Sequence, residues 1–200
     1  MSFFSAIKRF VSAYKKAKEE AAQGSNNADG YTVRIRYDDP NDDFMLNHYR
    51  ENLKYAMEKG DQKEILYYTA KLDPEFRNAE FHFWNAQTKI DEMRVDQTVK
   101  KEDFEKACQD QMLRAYAFKP LYEKYYCQPL YAEVFKIYAL FLEREGRYVD
   151  AATVCARALR WGFPNDRTHG GIKGRLMRLV KKAGGEVNEE IEDALKKYCQ

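Results

Sequence analysis

The sequence predicts an all-α fold, and three observations carry that prediction. Apolar residues recur every three or four positions along most of the chain, as in Phe135, Tyr138 and Leu142. Helix breakers are few, 5 Pro and 10 Gly in 200 residues, and most fall between the periodic stretches. Start and stop signals flank those stretches: Asp43 before one, Gly60 after it, Pro74 beyond the next, Asn188 before the last. A chain of this length, 44% hydrophobic and 33% charged, buries a core without disulfide or metal staples.

The N-terminal segment, residues 1–23, reads as an amphipathic helix over 2–22. Phe3, Ile7, Phe10 and Tyr14 form its stripe, widened by Phe4 and Val11. "GSNNADG" (24–30) opens a linker that runs to residue 43. Inside it, "YTVRIRY" (31–37) alternates Val33 and Ile35 against Thr32, Arg34 and Arg36, the pattern of a short strand. A lone strand is not stable by itself. The segment therefore either pairs in a hairpin, pairs with a partner, or is an extended connector.

Residues 44–200 read as a helical domain. Asp43 caps a helix reaching Lys59, and a second covers 61–72, ending at "LDP" because the residue before Pro disfavours the helical region. A third spans 75–94 and carries Phe76, Phe81, Phe83 and Trp84. After the polar turn "RVDQTVKKED", a fourth runs 102–118 and stops at "KP", with a short helix over 121–126. Helices over 129–145, 148–161, 172–183 and 188–198 complete the chain, the last capped by Asn188.

Within this series the stretch 132–164 is the most regular. Phe135, Tyr138 and Leu142 line one face of its first helix, and Ala139 leaves room for a second helix to cross closely. Gly146 closes the first helix, Tyr148 and Ala151 open the second, Ala158 supplies another small contact, and "FP" ends it. This hairpin resembles a tetratricopeptide repeat. Cys155 departs from the family, which usually has a larger apolar residue there. The terminators "LDP", "FKP" and "GFP" recur at 72–74, 118–120 and 162–164, and the hairpins over 44–120 match in fainter outline. The fold expected is thus a set of divergent tetratricopeptide-like antiparallel hairpins closed by a C-terminal capping helix pair; a non-repetitive helical bundle is the alternative.

The same residues bound the chemistry. Net charge is +2, so nucleic-acid binding would have to rest on local clustering. Cys108, Cys127, Cys155 and Cys199 form no CxxC pair, and His48, His82 and His169 stand apart, so no metal ligand set and no cofactor is expected. Buried free thiols in a reducing compartment are the reading for the cysteines. No GxSxG, HExxH or phosphate-binding GxxxxGK[ST] pattern occurs, and no catalytic residues are expected. No apolar run approaches the roughly 20 residues that span a bilayer, and Lys8 and Arg9 interrupt any secretory core. A cytoplasmic, non-catalytic protein is expected.

Two kinds of surface follow. The repeat resemblance implies a concave face built from first helices, which would turn Glu133, Lys136, Ile137, Leu140 and Arg144 toward a bound peptide or protein segment. The function expected is that of an adaptor. The second surface is basic: Arg167, Lys173, Arg175, Arg178, Lys181 and Lys182 occur with no acid between the first and the last. Gly170 and Gly171 stand at the helix N-terminus, where free N–H groups favour anions. That surface is either a site for nucleic acid or another anion, or the solvated face of a capping helix. The basic N-terminal helix, with Lys8, Arg9, Lys15, Lys16 and Lys18, is left to dock on its own domain, on a partner, or on an anionic membrane.

Overall fold

Eight α-helices and no strand are found among residues 41–199, the residues that the computed structural model describes. They are α1 (Asp43–Lys59), α2 (Gln62–Leu72), α3 (Pro74–Val95), α4 (Lys101–Tyr126), α5 (Val134–Arg144), α6 (Tyr148–Arg160), α7 (Gly171–Lys182) and α8 (Glu189–Tyr198). The expected N-terminal helix over 2–22 and the expected strand over 31–37 lie outside the described residues.

Local chemistry sets most boundaries. Asp42, one residue before the expected cap, starts α1 by accepting the Phe44 and Met45 amides at 2.8 and 3.3 Å. Gly60 ends it at φ 68°, and Asp61 begins α2 by accepting from Lys63 and Glu64. Asp73 serves two helices at once. Its amide closes α2, and its Oδ1 accepts the Glu75 amide to open α3 with Pro74 in the first turn.

Packing overrides local signals in two places. The expected stop at Pro120 does not occur, and α4 continues through it to Tyr126. Pro120 removes one N–H and disturbs the turn before it. Phe118, Tyr122 and Tyr125, on both sides of it, share one face at spacings of four and three. Phe118 lies 5.3 Å from both Phe76 and Phe83, ring centre to ring centre, and Tyr125 lies 5.3 Å from Phe76. Each buried aromatic contributes about 1.5–3 kcal/mol, so the shared face offsets the missing bond. The second correction is the start of the next helix, at Val134 rather than 129. Cys127 turns left-handed at φ 51° to end α4, and Leu130 and Ala132 are buried in non-helical chain. Cys127 is accordingly exposed, against the expectation of a buried thiol, whereas Cys108 and Cys155 are buried.

The helices pack mainly on sequence neighbours: α1 on α2, α3 on α4, α4 on α5, α5 on α6, with α2 also against α3 and α4. At the C-terminal end α6 is the hub, in contact with α5, α7 and α8. Its composition explains this. Ala151, Ala152, Cys155, Ala156 and Ala158 are essentially inaccessible to water, and such small side chains let three helices approach one backbone. Cys155, the departure noted from the repeat pattern, meets the same requirement. Across the α5–α6 turn, Ala139 is fully buried and Gly146 stands at φ 75°. No helix among the described residues is long and apolar enough to cross a membrane.

Candidate functional site

The α3–α4 turn is where a site takes shape. Asp96 ends α3 and folds the turn around its carboxylate, which accepts the Thr98 amide at 2.8 Å and the Thr98 hydroxyl at 2.7 Å. Those bonds hold its carboxyl below the usual carboxylate range. The folded turn fixes Val95 and Val99 on one side, and Val95 is 81% exposed. Opposite stands α5, whose inner face (Val134, Phe135, Tyr138, Ala139, Leu142) is buried in the core. Its other flank carries Leu140, Phe141 and Arg144, with Ile137, itself 5% exposed, at the boundary between the two.

Between them lies a groove of about 390 Å³. Phe104 of α4 and Phe141 of α5 meet at its floor with ring centres 4.9 Å apart, beside Ile137. Met93, Val95, Val99 and Leu140 form apolar walls, and Asp91, Arg94, Lys101 and Arg144 form the rim. The volume falls within the range of about 300–1,000 Å³ of sites that enclose a ligand group. An apolar floor with a charged rim also matches the anatomy of segment-binding surfaces.

Of the five residues that the repeat resemblance assigned to a peptide, the structure brings Ile137, Leu140 and Arg144 into this groove. Glu133, just before α5, and Lys136 do not line it. The α3 and α4 contributions were missed in the sequence. The signal was there, in two valines within a charged turn, but nothing local says that α5 packs beside that turn.

A larger cleft, about 650 Å³, lies along α8. Its lining mixes three cations, Arg160, Lys196 and Lys197, with three acids, Glu189, Glu190 and Asp193, and Ala194 and Tyr198 are its apolar part. Glu190 is already held by Arg157 through two hydrogen bonds of 2.9 and 3.0 Å. With only Ala194 and Tyr198 among its lining residues apolar, against six charged ones, it is the weaker candidate for a segment.

The basic stretch is dispersed. Arg175 is the clearest correction: it is 5% exposed, and its Nε donates to Asp166 Oδ2 at 2.9 Å. The aliphatic stem lies on the inward side of α7 with Ile172, Leu176 and Leu179, and Asp166, 1% exposed, supplies the counter-charge. Lys182 pairs with Glu143 at 2.6 Å, and the Arg167 guanidinium lies 4.2 Å from the centre of the Tyr131 ring. Lys173 is half-buried, while Arg178 and Lys181 are exposed. The two glycines do admit a close approach, but of the chain itself. A side chain on Gly171 would place its Cβ 2.6 Å from the Pro164 carbonyl oxygen, which also accepts the Ile172 amide at 3.0 Å. One of the N–H groups expected to face an anion is therefore spent internally.

Among the described residues, no three His, Cys, Asp or Glu side chains converge as metal ligands. No family model, curated protein or solved structure matches the chain.

Proposed function

We propose that this chain is a non-catalytic cytoplasmic adaptor, a divergent tetratricopeptide-like domain that binds a protein or peptide segment in the groove between α5 and the α3–α4 turn. The observation that carries this reading is a concave apolar surface only partly covered: Val95 is 81% exposed and Met93, Val99, Leu140 and Phe141 are half-buried, over a floor that includes the buried Phe104 and Ile137. Apolar side chains grouped in a concavity gain free energy when another apolar surface covers them, at roughly 25 cal/mol per Å². The chemistry present there, apolar contact plus guanidinium and ammonium groups, suits recognition and offers no nucleophile beside a base. The basic stretch supports nucleic-acid binding less well, because Arg175 is buried against Asp166 and Lys182, though half exposed, already shares its charge with Glu143.

Site-directed photocrosslinking in native extract tests the reading. A crosslinker at Val95 should capture a defined protein segment, insensitive to nuclease and lost when Leu140→Glu is added. A crosslinker at Met177, exposed on α7 in the basic stretch, should capture little. Nuclease-sensitive capture at Met177 with none at Val95 would overturn the proposal.

A further inference from the structure

We infer that the segment held in this groove is an acidic amphipathic helix, an inference that rests on the groove being the binding site. The charge on the rim points to it. Among the lining residues Arg94, Lys101 and Arg144 face one acid, Asp91, with Glu145 pairing to Lys101 from just outside the groove. Asp91 lies 3.4 Å from Arg94, and both side chains are about half exposed, so this pair neutralises little. Lys101 is joined to Glu145 at 2.5 Å, yet remains 63% exposed and open to a second carboxylate.

Arg144 makes no ion pair among the described residues, because the two acids flanking it are engaged elsewhere. Glu143 holds Lys182 and faces Arg175, and Glu145 holds Lys101. A guanidinium with free donors at the end of an apolar groove is a fitting for a carboxylate, which it can grip through two parallel bonds.

The groove's length selects the shape of the ligand. Ile137, Leu140 and Arg144 are spaced at i, i+3 and i+7 along α5, about 10 Å, or two helical turns. A ligand helix laid beside α5 matches that repeat with anchors at its own i, i+3 or i+4, and i+7 positions. Acids on the flanks of those anchors would then meet the three cations of the rim. A basic amphipathic helix would present the same apolar anchors to the wrong charge.

The test uses the full chain and three rhodamine-labelled synthetic peptides of about 15 residues, long enough to form a helix on binding. All carry Leu and Phe anchors at helical spacing, with the remaining positions mostly Glu in one, Gln in the second and Lys in the third. Fluorescence anisotropy should give tightest binding for the Glu peptide. Each exposed ion pair contributes about two- to threefold, so three should separate it from the Gln peptide by about tenfold. Raising salt from about 0.05 to about 0.5 M should erase most of that gap, because the Debye length shrinks below the reach of exposed charges.

Arg144→Glu should narrow or reverse the preference, and Leu140→Glu should weaken the Gln peptide, with helical circular dichroism unchanged in both. If the Gln peptide binds and Leu140→Glu blocks it, but the Glu peptide is no tighter, the groove reading stands and the acidic ligand is refuted. Tighter binding of the Lys peptide refutes it equally. If none of the three binds below about 1 mM, the groove reading itself fails, and the acidic ligand with it.

Discussion

Asp166→Asn removes the negative half of an ion pair that both partners bury, Asp166 at 1% and Arg175 at 5% exposure. Asp166 accepts Arg175 Nε at 2.9 Å, the Thr168 amide at 3.0 Å and the Thr168 hydroxyl. An Asn keeps one oxygen, enough for Thr168, and turns an amide donor toward the guanidinium. Arg175 would be left with Glu143, whose carboxylate is 3.8 Å away, beyond hydrogen-bond range. Removing one partner of a buried pair costs about 3–5 kcal/mol. Glu143 compensates in part, so the low end is expected, about 3 kcal/mol, or a fall in Tm of about 10 °C for a domain this size. Urea unfolding followed by circular dichroism measures it.

Adding Arg175→Met to Asp166→Asn should recover most of the loss, since an apolar stem then fills the site with no stranded charge. The pH dependence has a definite sign. Burial pushes the Asp166 carboxyl up, but bonds from Thr168 and Arg175 outweigh it and hold the group below the usual carboxylate range. Its contribution is therefore present above the unfolded value of about 3.9 and lost as pH falls through the lower folded one. Wild type should lose more stability than Asp166→Asn below about pH 4. A single variant within about 0.5 kcal/mol of wild type, or losses that simply add in the double variant, would refute the reasoning, because the pair would then be solvated.

Other substitutions probe the helix crossings and turns. Ala139→Leu and Ala158→Leu, both at fully buried positions, should each cost roughly 1–3 kcal/mol by overpacking; wild-type melting in both would disprove the tight α5–α6 packing. Gly171→Ala meets a positive φ of 56° and a 2.6 Å clash, and should cost more than Gly185→Ala, where φ is 87° but the space is open and the loss is about 1 kcal/mol. Equal melting shifts for the two glycine variants would show that Pro164 yields. Thiol labelling at pH 8 should modify exposed Cys127 first, while Cys108 and Cys155, buried and pushed up to about 12, should react only on unfolding. Fast labelling of Cys155 in the folded chain would contradict the packing around α6.

The sequence by itself determined the helices that local chemistry can start and stop. Asp61 and Asp73 accept the first amides of α2 and α3, and Gly60 and Gly146 take left-handed turns that side chains resist. Asn188 opens α8 by accepting the Ile191 amide at 3.0 Å. All these interactions join residues a few positions apart, so a window of sequence contains both partners. The tertiary structure decided what depends on distant partners. Pro120 stays helical because Phe76 and Phe83, more than thirty residues earlier, hold the face around it. Arg175 looked like a surface cation because it shares a stretch with five others, and it is buried because the loop before α7 brings Asp166 to its Nε. The groove combines Val95 and Val99 with Leu140 and Arg144, forty residues and more further along. Helical periodicity tells which side of each helix seeks cover; which neighbour provides it is set by the packing of all the helices at once, and that competition has no local record in the chain.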